Sequence, residues 1–338
     1  MSSPDAVKIC YSRANVKLYS CVAQGRGHCK APAPGTLSGA MAMTKSEFSV
    51  VINRESGYVA EHSLESVTDL VESRLDKPPV SLFAPEPQGV DAALRDAFGD
   101  VSDAVIVIGG DGTQRRAAEL SCQTGKPFMP LPGGTMNVLP RRVYGDRDLV
   151  SILSGRLGEQ ERRLDAGLVN DRLFLISAAF GAITDLAMAR EQVRGSAFFE
   201  TLPDAIRRAG RGFAGFGREN VRYAHDGMGE PRGASSLIIS VGPLSQIFNP
   251  SEAVDDRVYL EYAALKLGDL SGLPRFASQP LRRLLSERRQ AVSGDDAEFR
   301  IVLKSDDPRV VLDGEPMRAG REIRVRIKPG AVRILASD

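Results

Sequence analysis

The sequence predicts an α/β domain built on an open parallel sheet, followed by an all-β domain, an antiparallel β-sandwich with helical insertions. Three observations predict it. Short apolar runs alternate with helix-spaced segments from residue 47 to about residue 131. Beyond about residue 162 the pattern changes to short strands joined by turns. The chain, at 338 residues, is long enough to bury two cores.

Taken in order, Phe48-Ser49-Val50-Val51-Ile52 is a short apolar run stopped by Asn53 and Ser56-Gly57, a buried strand running into a loop. Leu64, Val67, Leu70, Val71 and Leu75 recur at helical spacing until Pro78-Pro79 ends the pattern. Val80 to Phe83 reads as a second strand and Val90 to Phe98 as a second helix. Ala104 to Ile108 is a third strand, apolar on both faces as in a parallel sheet covered by helices on both sides. Gln114 to Thr124 forms a helix ended by Gly125, and Pro127 to Leu131 a fourth strand. In such a sheet, loops at the carboxyl ends of the strands share one rim, where ligands bind.

The second domain is predicted from strands at 174–176, 221–223, 236–240, 258–262, 299–303 and 310–312, with a hairpin signal from Asp226-Gly227 to Gly229. Helical insertions are expected near 184–214 and 271–291. The expected division is 44–161 for the α/β domain, 162–325 for the β-rich domain, and 326–338 returning to the first. Residues 1–43 carry scattered Gly and Pro without periodicity, and Met41 and Met43 immediately precede the first strand. They are expected to be disordered or extraneous to the fold.

A net charge of +1 with no Lys/Arg-rich tract argues against nucleic acid as partner. No apolar run approaches the roughly 20 residues that span a bilayer, and no basic-then-apolar leader begins the chain, so the expected location is cytoplasmic. Cys10, Cys21, Cys29 and Cys122 lack any C-x-x-C pair; His28-Cys29 therefore reads as reduced thiol chemistry rather than zinc.

The chemistry concentrates in Gly109-Gly110-Asp111-Gly112-Thr113, which joins a buried strand to a helix. Glycines there let backbone N–H groups reach phosphate oxygens, and the helix N-terminus adds partial positive charge. Thr113 is a natural N-cap, and Asp111 is placed to bind a metal–nucleotide or accept a proton. A second loop, Pro132-Gly133-Gly134-Thr135-Met136-Asn137, ends the next strand on the same rim. In it Thr135 and Asn137 offer neutral hydrogen bonds to phosphate or ribose. A third, Asn53-Arg54-Glu55-Ser56-Gly57, ends the first strand there. One such turn is common; three at successive strand ends point to a ligand.

Through these residues the chain resembles the diacylglycerol kinase catalytic family, which includes sphingosine kinases and bacterial lipid kinases and is related to NAD kinases. Further matches are Leu164-Asp165-Ala166-Gly167 with Asn170, Ala179-Phe180-Gly181, and Asp313-Gly314-Glu315. The resemblance implies ATP with its phosphates over 109–113, bound with Mg2+, and a lipid alcohol as substrate. It implies Asp313, Glu315 and Asp111 as catalytic carboxylates, with Asp111 and Glu315 also toward Mg2+. Whether Asp313 or Asp111 is the general base stays open. It further implies Asn53, Arg54, Ser56, Gly57, Gly109 to Thr113, Gly134, Thr135 and Asn137 around the nucleotide.

The chain departs from the family at three places. Val138 and Leu139 follow the second loop where an acidic residue and an aromatic are usual, and Pro140 suggests a helix beginning there. Arg54 replaces a proline and is a candidate phosphate contact. Asp255 and Asp256 match a structural-metal turn, but Arg257 replaces its glycine and offers a salt bridge in place of the ion. For peripheral membrane contact the candidates are Leu281, Leu284 and Leu285 with Arg282, Arg283, Arg288 and Arg289, and a second cluster at Arg207, Arg208 and Arg211. Oligomeric state, a homodimer included, is left open. The competing readings are a small-molecule kinase of the NAD kinase type and a non-catalytic nucleotide- or lipid-binding protein.

Overall fold

The computed structural model describes residues 9–10, 47–158, 160–184, 219–247, 249, 258–266, 285–294 and 297–337. Asp255, Asp256 and Arg257, the cluster at Arg207, Arg208 and Arg211, residues 281–284, and Cys21, His28 and Cys29 lie outside them.

Strands β2 (Phe48–Ile52), β4 (Ala104–Gly109) and β5 (Phe128–Pro132) are buried along their whole length. They pair in parallel, β2 with β4 and β4 with β5. β3 (Ser81–Phe83) adds in parallel on the other side of β2, and β1 (Ile9–Cys10) pairs antiparallel with it. The near-continuous Val/Ile sequence is what two-sided burial requires. Helices α2 (Leu64–Glu72), α3 (Val90–Gly99) and α4 (Asp111–Thr124) follow β2, β3 and β4 in turn. α4 buries Ala117 and Ala118, whose small side chains suit a helix lying close to a sheet. Buried Gln114 donates from Nε2 to the carbonyls of Val107 at 3.0 Å and Leu131 at 2.9 Å, fastening the helix to both strands below the rim.

Strands β6 (Gln160–Val169) and β7 (Arg172–Phe174) form an antiparallel pair leading into the second domain. β17 (Glu322–Ala336) connects the domains: it pairs in parallel with β5 at Ile334 and Phe128, and antiparallel with β6 and with β14 (Glu298–Leu303). β9 (Val221–His225) and β10 (Arg232–Ala234) complete this first sheet. The second sheet runs β13 (Arg289–Ser293), β12 (Tyr259–Leu265), β11 (Ser236–Val241), β8 (Ser177–Gly181), β15 (Arg309–Leu312), β16 (Glu315–Arg318), with every pairing antiparallel. Phe174, Phe180, Tyr262 and Phe299 fill the layer between the two sheets. The chain is thus an α/β domain with a C-terminal β-sandwich.

The Leu164-Asp165-Ala166-Gly167 stretch with Asn170 turns out to be structural. A Cβ on Gly167 would collide with the Phe174 ring. Asp165 Oδ1 accepts the N–H of Gly330 at 2.7 Å, where the register of β17 shifts between Lys328 and Val332. Asn170, at φ 53°, accepts the N–H of Arg324 on its side-chain oxygen at 2.9 Å.

Several local expectations need correction. α1 (Gly57–His62) follows the first loop directly, with Val59 as its one buried residue, so no apolar period marked it. α4 begins at Asp111, three residues before the predicted start. α5 (Val138–Tyr144) begins two residues before Pro140, and α6 (Leu149–Leu153) follows it. Arg289 to Ser293 is strand, not the end of a helical insertion. Leu285 is 2% exposed and packs into the core, so the side chain chosen to face a membrane points inward. Among the described residues no helix is long and apolar enough to cross a membrane.

Candidate functional site

The three glycine-bearing loops meet at one rim. Asn53 donates its N–H to the Ile108 carbonyl at 2.9 Å and its Nδ2 to Thr113 Oγ1 at 3.0 Å, tying the first loop to the second. Thr113 is therefore not the N-cap of α4. Gly110 holds that position, and Thr113 lies buried in the first turn as acceptor for Asn53. Gly57 follows Ser56, which is buried with no partner for its Oγ, and the next N–H, that of Tyr58, donates to the Gly133 carbonyl at 3.1 Å. The loops after β4 and β5 touch backbone to backbone. A Cβ on Gly134 would stand 2.7 Å from the Gly110 Cα, and one on Gly133 would stand 2.8 Å from the Gly109 nitrogen. No side chain fits at these positions, which is the physical reason for glycine at both.

Asn137 closes the second loop. At φ 50° it accepts the N–H groups of Gly133 (3.1 Å) and Gly134 (2.8 Å) on Oδ1 and returns Nδ2 to the Gly134 carbonyl at 2.7 Å. Its Oδ1 and one of its two Nδ2 protons are thus spent on loop shape. Thr135 stands exposed at the tip. Arg54 pairs through Nη1 with Glu86 at 2.7 Å, at the outer edge of the site.

Three carboxylates converge on this rim from both domains. Asp111 accepts the N–H of Val138 at 2.7 Å on Oδ1. Burial pushes its pKa up to about 6, with the negative charges of Asp313 and Glu315 adding to the rise and the Val138 and Asn137 amides opposing it. Asp313 is the first residue of the β15–β16 turn, at φ 49°. Its Oδ2 accepts the N–H of Leu175 at 2.7 Å, and its Oδ1 accepts those of Ile176 at 2.8 Å and Ser177 at 3.0 Å. Burial raises its pKa against the pull of these three amides and of the Arg115 charge. Glu315 reaches over the first turn of α4, where a Cβ on Gly112 would collide with Oε1, and its Oε2 meets Arg115 Nη2 at 3.0 Å. Behind the rim, Asp165 and Asp313 both act electrostatically on Arg142.

Two arginines escaped the sequence reading. Arg115 lies one turn into α4, with Asp111 and Glu119 four residues to either side on the same helix face. That spacing was a readable signal, but its bond to Glu315, 200 residues away, was not. Arg142 in α5 donates Nη1 to the Leu175 carbonyl at 2.7 Å, and burial pushes its pKa down. Leu175 is thus gripped at its carbonyl from the first domain and at its amide from Asp313. No sequence signal marks Arg142.

Residues 47–169 match the family model of the diacylglycerol kinase catalytic domain. Among solved structures the chain is similar to a protein assigned as a diacylglycerol kinase from Bacillus anthracis str. Sterne. One structure of it gives a TM-score of 0.64 at 17% identity, over 89% of this chain and 99% of that one. Another gives 0.63 at 17%, over 87% and 99%. A third, named as a diacylglycerol kinase from the same strain, gives 0.59 at 17% identity over 87% and 99%. These likenesses carry the fold. The stretch matched by the family model runs from β2 to β6 and carries the rim of glycine loops, so residues 47–169 resemble a diacylglycerol kinase catalytic domain in sequence as the whole chain does in fold.

Proposed function

We propose that the protein transfers the γ-phosphoryl group of ATP to the hydroxyl of a lipid alcohol, diacylglycerol or a close relative. One observation carries the reading: two glycine loops in backbone contact lie under a carboxylate, Glu315, delivered from the other domain. A glycine-rich rim at the head of a 14-residue helix suits phosphate. Acidic side chains facing it suit a phosphate-bound cation.

The residues fit both groups. A Cβ at Gly134 or Gly133 would push the two loops apart, so glycine at both keeps the loop backbones together at the rim. Among the described residues no cluster of three or more His, Cys, Asp or Glu side chains would hold a metal by itself. Asp111 and Glu315 would therefore hold Mg2+ jointly with phosphate oxygens and water, the usual way this ion is bound. ATP supplies the phosphoryl group and Mg2+ offsets the charge of its phosphates.

The chain's own contribution is positioning and proton transfer. Asn53 and Asn137 fix the loops, and the β15–β16 turn brings Glu315 to them. The attacking hydroxyl must lose its proton as its oxygen bonds phosphorus. Asp313 has both oxygens occupied by backbone amides, and a carboxylate so held is an anchor. Asp111 accepts the Val138 N–H on Oδ1, with the Asn137 amide as a further donor, and we assign it the proton.

Incubating the protein with radiolabelled Mg-ATP and, separately, diacylglycerol, a sphingoid base and NAD tests the reading. Label in a lipid is expected. Label in NAD alone would move the protein to a small-molecule kinase, and nucleotide binding with no labelled product would make it a binding protein.

A further inference from the structure

Resting on the kinase reading above, we infer that Arg115 is a positioning residue, which holds Glu315 of the second domain across the first turn of α4. The contact joins two residues 200 positions apart, Nη2 to Oε2 at 3.0 Å. It is the one side-chain bond seen for Glu315 among the described residues. Without it, a carboxylate whose side chain is 44% exposed has nothing else to fix its direction.

Arg115 is built to do this. Its side chain is 13% exposed, and its other terminal nitrogen, Nη1, lies 3.0 Å from Glu119 Oε1. Glu119 is equally buried, and its second oxygen is held by Arg116 Nη1 at 2.9 Å. Arg116 in turn reaches Asp91 in α3 through Nε, at 2.5 Å. A chain of charged side chains thus runs from α3 along α4 and ends on Glu315. The guanidinium is planar and braced before it meets Glu315, so little freedom is lost in holding it. Its Nε is buried with no acceptor, a cost that marks a side chain whose placement is set by its terminal nitrogens. On the far side of Glu315, Gly112 leaves the space that Oε1 occupies. The carboxylate is therefore bounded on both sides, by a cation and by the helix backbone.

An ion pair with one partner nearly half exposed adds little to folding. What it can set is direction, and a displacement of about 1 Å in a catalytic group costs up to about 100-fold in rate. A lysine carries one compact charge and cannot bridge two carboxylates as the fork does.

The test compares wild type with Arg115→Ala, Arg115→Lys and Glu119→Gln, reading kcat and the KM for ATP on the lipid that the wild type phosphorylates. Hydrogen exchange over residues 309–318, without any substrate, is read on the same proteins. Arg115→Ala should lower kcat about 10- to 100-fold with the KM for ATP within about threefold. Exchange at 313–315 should quicken, and Arg115→Lys should recover part of both. Glu119→Gln, which keeps the Arg115–Glu315 pair, should lose less than Arg115→Ala. A loss confined to the KM for ATP would make Arg115 a nucleotide ligand and overturn the inference. So would kcat within twofold of wild type, or equal losses in all three variants. A wild type that phosphorylates no lipid sinks the kinase reading instead, a result visible before any variant is made.

Discussion

Gly112 and Glu315 interlock across the two domains: the first has no Cβ at the place where the second sets its Oε1. Gly112 sits inside α4, where alanine is favoured over glycine by about 1 kcal/mol. Its presence works against the helix and in favour of the carboxylate.

Gly112→Ala should separate stability from activity. Glu315 is half-exposed and its side chain can swing aside, so the fold should tolerate the methyl, with stability within about 1 kcal/mol of wild type. Turnover should fall at least about tenfold, because the displaced carboxylate no longer faces the loop. A thermal melt beside a steady-state assay reads both. Full activity with an unchanged melt would show that Glu315 need not lie where it does.

Gly134→Ala should behave differently, since its Cβ meets backbone. The nearest atom is the Gly110 Cα at 2.7 Å, which cannot rotate away. The two phosphate-facing loops must part, at a cost of about 1–3 kcal/mol for overpacking. Calorimetric titration with ATP should show affinity reduced about tenfold or more. Unaltered ATP affinity would mean that the phosphates bind elsewhere.

The parallel core and both glycine loops were legible because their signals are local. β2, β4 and β5 are buried on both faces, so their apolar runs are unbroken, and each loop declares itself within six residues. α1 was not legible, because one buried valine makes no period. The Val-Ile alternation of β17, Ile323, Val325, Ile327, is plain in the sequence. Its pairing with β5 at Phe128 is a contact about 200 residues long in the chain, and only the fold supplies it. The same holds for the site. Asp313 stood out as part of Asp-Gly-Glu, but the amides that occupy its oxygens come from Leu175, Ile176 and Ser177, peptide groups that carry no side-chain signature. That is why its function as an anchor emerges from geometry rather than motif.

Asp313→Asn tests that function. Asparagine adopts the left-handed backbone readily, so φ 49° is not disturbed. An amide, however, turns one NH2 group toward backbone N–H donors, whichever way it is flipped. Leaving such donors unsatisfied should cost about 1–3 kcal/mol, seen as a lower denaturant midpoint. Any loss of turnover should accompany that destabilisation. Turnover abolished at wild-type stability would instead return Asp313 to the role of general base.

Asp111 makes the opposite prediction for stability, through its pH dependence. Its pKa in the folded protein is about 6, above the ordinary aspartate value of 3.8, chiefly because burial disfavours the charge. The folded state therefore binds this proton more tightly than the unfolded chain. The contribution to stability is fully present below about pH 4 and is lost as pH rises through 6. Above that, the ionised carboxylate costs an amount on the order of 3 kcal/mol, from a shift of roughly two pH units. Asp111→Asn, neutral at every pH and still able to accept the Val138 N–H, removes the cost. In metal-free buffer with a chelator, urea midpoints of wild type should decline between pH 4 and 7. Those of the variant, which keeps the buried Asp313, should decline less and lie higher at pH 7, while its lipid phosphorylation falls by about 100-fold or more. Parallel midpoint curves for the two proteins would show that Asp111 is not held protonated by its surroundings. Retained turnover would remove it as the proton acceptor.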